Sequence, residues 1–216
     1  MKSVLVIGMG RLGRNLAAEM LKLGNEVMVV DEKPEIIQSL SENLPDCHIG
    51  DCTNESVLKS LDVKSFDVCF VTIGANFESS LVITILLKKL GAKKIIAKAS
   101  QDIQANILTT IGADEVIYPE LDMAQSLAVK YSASNVFDYL ELSDEYGIFE
   151  IPVLPYWVGE TIIKIDVRKK YRLNIIAVKN GENMIVSPPA DYSFKEKDHV
   201  VVVGKPKDAL KIAERV

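Results

Sequence analysis

Residues 2–20 read KSVLVIGMGRLGRNLAAEM. An apolar, largely β-branched run over residues 4–7 meets Gly8, Gly10 and Gly13 in G-x-G-x-x-G spacing, and a helical pattern follows. The order predicts strand, tight turn and helix. Gly8 permits the turn, Gly10 lets a pyrophosphate approach bare backbone, and Gly13 lets helix close on strand. The first amides of that helix point at the phosphate, and its dipole favours negative charge there. A second strand is predicted over residues 26–30, ending at Asp31 with Glu32 beside it. An acid about 20 residues beyond the glycines accepts hydrogen bonds from ribose hydroxyls and repels a 2′-phosphate. Spacing, context and acid agree on an adenosine-type nucleotide. Its expected cradle is Gly8, Met9, Gly10, Arg11, Leu12 and Gly13, with Asp31 and Glu32. Arg11 has two readings: a solvated residue at a helix start, or a guanidinium serving phosphate oxygens, including those of a ligand on a neighbouring subunit.

Outward from this unit, strand-like and helix-like segments keep alternating, as in a parallel sheet wrapped by helices. KLGNEVMVV, KLGAKKIIA and TIGADEVIY place Gly24, Gly91 and Gly112 at the same helix-to-strand joint, where glycine takes a left-handed cap freely. Three such returns predict a doubly wound, Rossmann-like α/β sheet with its ligand at the carboxyl ends of the strands. The loops carrying Asp31, Asp51, Cys52, Thr72, Ile73, Gly74 and Lys98 all fall at those ends. Asp51 is either a helix-start acid or a polar wall for the adenine. Asn76 is the expected N-cap of a long apolar helix. Glu120, in the first turn after Pro119, needs no role beyond complementing the helix dipole.

The pattern then changes. Residues 136–142 read as a hinge and residues 146–153 as a strand. Asn180-Gly181 between two apolar runs is a strong hairpin signal, and a strand over residues 199–203 precedes a terminal helix. The expected domains are therefore a nucleotide-binding domain, residues 1–134, and a hinge plus small α+β domain, residues 135–216.

Composition narrows the function classes. With 48% hydrophobic residues a core is assured, and a net charge of −5 argues against nucleic acid as partner. No targeting segment precedes the first strand, and no apolar run is long enough to span a bilayer, so a soluble cytoplasmic protein is expected. Three cysteines suit a reducing compartment. Cys47, His48 and Cys52 lack a second ligand pair, which disfavours zinc, and Cys69 reads as a small core residue.

Taken together, VIGMGRLG, Asp31, IGDCTNESVL, FVTIGAN, IIAKAS, IGADEVIYPELDMA, NVFDYLELSDEYGIFEI and DVRKKYRLNIIAVKNG…IVSP resemble the regulator-of-potassium-conductance (RCK, or KTN) family, over essentially the whole chain. The similarity is to the cytosolic regulatory subunits of Ktr- and Trk-type potassium uptake systems. It implies a subunit without catalysis, peripheral at the inner face of the cell membrane. Homodimers assembled into an octameric ring would act on a membrane-embedded potassium-translocating subunit. The resemblance implies binding of ATP or ADP, with NAD or NADH as alternatives. By position it assigns Gly8, Gly10, Arg11 and Gly13 to the phosphates and Asp31 to the ribose. Asp51 and Cys52 fall on the adenine side, Thr72, Ile73 and Gly74 after the fourth strand, and Lys98 facing the phosphates. Glu120 matches a dimer-interface acid associated with a divalent cation, Mg or Ca. In the tail, Asp166, Arg168, Asn174 and Ile175 match residues lining a cyclic di-AMP site between two C-terminal domains, with Ile163 and Pro188 completing an apolar floor. SQDIQ departs from the family pattern after the lysine, and Leu12 replaces an aromatic residue.

The competing class is an NAD-dependent oxidoreductase. Such an enzyme needs an acid or base beside the substrate, and the tail offers only His199, beside Asp198, which reads as surface. Absence of NADH turnover separates the two.

Overall fold

Val4 and Val6 face one side of the first strand, Leu5 and Ile7 the other, and all four are buried. A strand apolar on both faces belongs inside a sheet covered by helices on both sides. The computed structural model describes residues 1–132, 135–143 and 145–215. In chain order the first part runs β1 (Ser3–Ile7), α1 (Arg11–Lys22), β2 (Glu26–Asp31), α2 (Pro34–Leu40), β3 (Asp46–Ile49), α3 (Glu55–Ser60), β4 (Val68–Val71), α4 (Phe77–Lys89), β5 (Ile95–Lys98), α5 (Asp102–Ile111), β6 (Glu115–Ile117) and α6 (Pro119–Ser132). The six strands form one parallel sheet in the order β3-β2-β1-β4-β5-β6. Leu5, Ile7, Cys69 and Val71 join the core on one face, and Val4, Val6, Val68 and Phe70 that on the other. Gly24, Gly91 and Gly112 have φ of +80°, +81° and +121°, so the three repeated joints are left-handed as expected. Asn76 caps α4 by accepting from the Ser79 amide at 3.2 Å.

The second part runs β7 (Asp138–Ser143), β8 (Tyr146–Pro152), α7 (Ile162–Ile165), α8 (Val167–Tyr171), β9 (Asn174–Asn180), β10 (Asn183–Val186), β11 (Asp198–Gly204) and α9 (Pro206–Ala213). Its sheet is antiparallel, in the order β10-β9-β11-β8-β7. Asn180 pairs with Asn183, so the hairpin turns on Gly181 and Glu182, with Gly181 at φ +59°. Trp157, Phe149, Phe194, Val200 and Val202 are buried in this unit's own core.

Two expectations are revised. Most of the segment read as a hinge, residues 136–142, belongs to β7, which pairs with β8 because Tyr139 is buried against Phe149. The chain forms two compact units, Met1–Glu120 and Leu121–Val216, and residues 133 and 134, at the expected boundary, lie outside the described residues. Past its first two residues α6 belongs to the second unit, where Val129 packs on the core and Ser126 Oγ donates to the Tyr139 carbonyl. Asp198 is fully buried rather than on the surface. Its carboxylate accepts from Asn180 Nδ2 at 2.7 Å, Tyr192 Oη at 2.8 Å and the Lys195 amide at 2.8 Å. Burial and that carboxylate push the Tyr192 phenol up to about 12.

His199 is also engaged. Its Nδ1 lies 2.8 Å from Glu150 Oε1, its ring packs on Phe137, and Lys179 Nζ reaches the same carboxylate at 2.9 and 3.1 Å. Burial alone raises the Glu150 pKa, but the lysine and histidine outweigh it and hold the carboxyl below its ordinary value. Because the folded value is depressed, the associated stability is present above the unfolded value of about 4.3 and is lost as pH falls through the folded value. The melting temperature is expected to drop on acidification below about pH 4.3, less steeply in Glu150→Gln than in wild type. Circular-dichroism melts between neutral and acid pH check this; parallel curves would show that Glu150 makes no contribution.

Candidate nucleotide-binding site

The strand order reverses between β1 and β4, and in sheets of this type that reversal opens a crevice at the carboxyl ends of the strands. A cavity of about 240 Å³ occupies it, with walls from four successive strand ends. Gly8 and Gly10 come from the turn after β1, Asp31 ends β2, and Glu32 and Lys33 follow it. Gly50, Asp51, Cys52 and Thr53 follow β3, and Thr72, Ile73, Gly74 and Asn76 follow β4.

The glycine turn is built for close approach. Gly8 has φ +93°, a conformation that L side chains rarely adopt. A Cβ on Gly10 meets nothing within 4 Å, so the backbone there is bare. A Cβ on Gly13 runs into the Gly8 carbonyl and comes within 2.7 Å of Thr72 Oγ1. Thr72 itself clamps the turn, its hydroxyl lying 2.6 Å from the Gly8 carbonyl oxygen and 3.1 Å from that of Ile7. Gly13→Ala is therefore expected to push helix from strand and lower stability by about 1–3 kcal/mol. It should weaken nucleotides as well, which calorimetric titration beside a urea melt will read.

Asp31 joins the turn to β2. Its Oδ2 accepts from the Met9 amide at 2.6 Å and its Oδ1 from the Lys33 amide at 3.0 Å. A carboxylate carries about four lone-pair sites, so both oxygens keep acceptor capacity for a ribose diol. Asp51 Oδ1 accepts from the Thr53 amide at 2.9 Å and its hydroxyl at 2.6 Å, and these bonds lower its pKa. The acid thus shapes its own turn as well as lining the cavity. Cys52 is buried, and that burial, with Asp51 and Asp31 nearby, pushes its thiol up to about 12. A thiol held protonated is a poor nucleophile, so Cys52 acts as apolar wall.

Other expected residues stand apart from the cavity lining. Met9 is fully buried, its side chain in the core, its amide donating to Asp31 and its carbonyl accepting from Arg14 Nε at 2.7 Å. Arg11 is exposed at the start of α1, and Leu12 is half-buried. Lys98 crosses beneath Gly74, where a Cβ would lie 3.4 Å from its Nζ, and donates to Glu120 Oε1. That bond, with Arg11 contributing at longer range, lowers the Glu120 pKa. Among the described residues no group of three His, Cys, Asp or Glu side chains surrounds a cation-sized position. The arrangement therefore brings together a bare glycine turn, a carboxylate fixed by two backbone amides and a partly apolar slot between the strand ends.

Residues 4–119 match the TrkA-N domain and residues 147–216 the TrkA-C domain. The chain belongs to the TrkA-N/TrkA-C family. It is 38% identical over 215 residues to the Ktr system potassium uptake protein C of Bacillus subtilis, covering 100% of this chain and 97% of that protein. Identity is 36% over 207 residues to the Ktr system potassium uptake protein A of the same organism, with 96% and 93% covered. The fold is that of the GsuK channel in its NAD-bound structure, at a TM-score of 0.66 and 20% identity, spanning 99% of this chain and 39% of that longer one.

In the TrkA-N domain, pattern reading missed Lys33, Ile36, Gly50, Thr53, Ala75, Ser79 and Ile83, which also line the crevice. Lys33, Gly50, Thr53 and Ala75 had only a positional signal, lying just past a strand's carboxyl end, while Ile36, Ser79 and Ile83 reach the crevice from the helices α2 and α4. In the TrkA-C domain, Ile163, Asn174, Ile175 and Pro188, four of the residues expected at a cyclic di-AMP site, lie on neighbouring segments. The Ser187 amide donates to the Ile176 carbonyl at 2.9 Å, and the Ile163 amide to that of Ala190 at 2.9 Å. Pro188 thus lies between the start of β9, carrying Asn174 and Ile175, and α7, carrying Ile163. Ile163 is 70% exposed, and Arg168 and Asn174 are exposed too. Asp166, at φ +52°, is ion-paired with Lys169 at 3.6 Å.

Proposed function

We propose that this chain is a nucleotide-gated regulatory subunit of a potassium uptake system, acting at the cytoplasmic face on a membrane-embedded potassium-translocating subunit. What supports the class is full-length similarity to two Ktr system potassium uptake proteins; these relatives are not enzymes, and the oxidoreductase alternative is set aside. No helix among the described residues is long and apolar enough to cross a membrane, which suits a partner that supplies the pore. The single observation that carries the nucleotide reading is Asp31 held by the Met9 amide at the mouth of a bare glycine turn. ATP or ADP, with NAD or NADH as alternatives, would place phosphates over Gly10 and the ribose on Asp31.

In this reading Arg11 reaches the terminal phosphate, and Glu120 binds a divalent cation, Mg or Ca, across a homodimer that assembles into an octameric ring. Cation binding requires Lys98 to release Glu120 and turn to the phosphates it lies beside. Cyclic di-AMP, with two phosphates and twofold symmetry, suits a pair of Arg168 side chains across a C-terminal dimer.

A thermal-shift panel of ATP, ADP and NADH, with and without Mg or Ca, tests the proposal, because a ligand of the folded state raises the midpoint with its concentration over its Kd. ATP should raise it further with a divalent cation, and Glu120→Gln should abolish that increment. Arg11→Ala should weaken ATP more than ADP. No shift with any nucleotide would overturn the reading.

A further inference from the structure

Helices α8 and α9 enclose a second cavity, about 190 Å³, whose lining includes Lys170, Tyr171, Arg172, Asp208, Lys211 and Arg215. Four of these six side chains are cations and one is an acid. This is unusual in a chain with a net charge of −5. Elsewhere in the same unit Lys130, Lys164, Lys169, Lys179 and Lys205 are each ion-paired with a carboxylate. Among the described residues Lys170, Arg172, Lys211 and Arg215 have no such ion pair, as is also true of Arg168, Lys195, Lys197 and Lys207; what sets the four apart is that they line one concavity, which Asp208 shares.

Helix dipoles account for part of this. Lys170 lies in the last turn of α8 with Arg172 at its C-cap, and Lys211 lies in the last turn of α9, positions where cations are favourable. That effect fades within a turn, and α8 is only 5 residues long. It does not explain four cations converging on one concavity, where like charges repel. An anion in the cavity removes that repulsion. Guanidinium groups offer forked N–H pairs matched to phosphate oxygens, and ammonium groups add compact charge. The lining is dominated by cations and has no glycine turn or ribose-accepting acid like those of the first crevice, so the group it matches is an anionic phosphoryl group.

We propose that the α8–α9 cavity binds a phosphoryl group, from free pyrophosphate-like anions or from a phospholipid headgroup. The site is independent of the nucleotide crevice and shares no residue with the cluster around Pro188.

Calorimetric titration of the full chain with sodium pyrophosphate, at constant ionic strength, tests this beside flotation with phosphatidylglycerol-containing and pure phosphatidylcholine vesicles. We expect about one pyrophosphate per chain, weakened about tenfold or more in Lys211→Gln/Arg215→Gln, since bonds to charged groups are lost. The charge-keeping Lys211→Arg/Arg215→Lys should restore binding, and Arg11→Ala should retain it. Flotation with phosphatidylglycerol that the glutamine variant loses assigns the headgroup as source; pyrophosphate binding without flotation assigns a free phosphate. Wild type that binds neither overturns the proposal. So does unchanged binding in the glutamine variant, or loss of pyrophosphate in Arg11→Ala, which would place the anion in the glycine turn.

Discussion

Trp157→Ala is expected to cost the second unit about 3–5 kcal/mol, the range for removing a large aromatic from a core. Trp157 is fully buried, with its ring centroid 5.5 Å from that of Phe194 and 5.6 Å from that of Tyr171. Ile165, Leu173, Val200 and Ile212 belong to the same core. Domains hold only about 5–15 kcal/mol in total, so the loss takes a large share. Trp157→Phe keeps an aromatic ring between Phe194 and Tyr171 and should cost clearly less. Trp157 is the only tryptophan, so its fluorescence reports unfolding of this unit in wild type, and calorimetry compares the variants. Nucleotide-dependent stabilisation should survive in Trp157→Ala, since every residue lining the crevice lies in Met1–Glu120. A melt that matches wild type would show that the core repacks around the missing ring.

Asp31→Ala is expected to weaken ATP, ADP and NADH alike, by about 1.5–3 kcal/mol, or roughly tenfold to 150-fold. The ribose is common to all three, and the lost bonds are to a charged acceptor. The substitution also strips the Met9 amide of its partner at 2.6 Å, loosening the turn that approaches the phosphates. Asp31→Asn separates the two effects. Its amide oxygen still accepts from Met9, while the charge that repels a 2′-phosphate is gone, so NADPH should gain relative to NADH. Titration calorimetry reads both, and unchanged affinities in Asp31→Ala would place the ribose elsewhere.

Read alone, the sequence determined the first sheet and the loops at its strand ends that carry part of the crevice lining. Local chemistry sufficed there: Gly8 at φ +93°, the left-handed joints at Gly24, Gly91 and Gly112, and apolar runs such as residues 4–7 each specify a local conformation. The parallel order then brings the strand ends together, so Asp31, Asp51 and Thr72 could be placed before any coordinates. Tertiary structure decided what depends on partners distant along the chain. Asp198 reads as surface because it is an acid beside a histidine, yet Asn180 and Tyr192 satisfy it in the interior. Residues 136–142 read as a hinge because nothing local reveals that Tyr139 will pack on Phe149. The cationic cavity joins Lys170 and Arg172, at the end of α8, to Lys211 and Arg215, in and just past α9, far apart in sequence. Turn geometry and hydrophobic period are written in neighbouring residues; the pairing of a buried charge, and the clustering of like charges, are set only when the chain closes on itself.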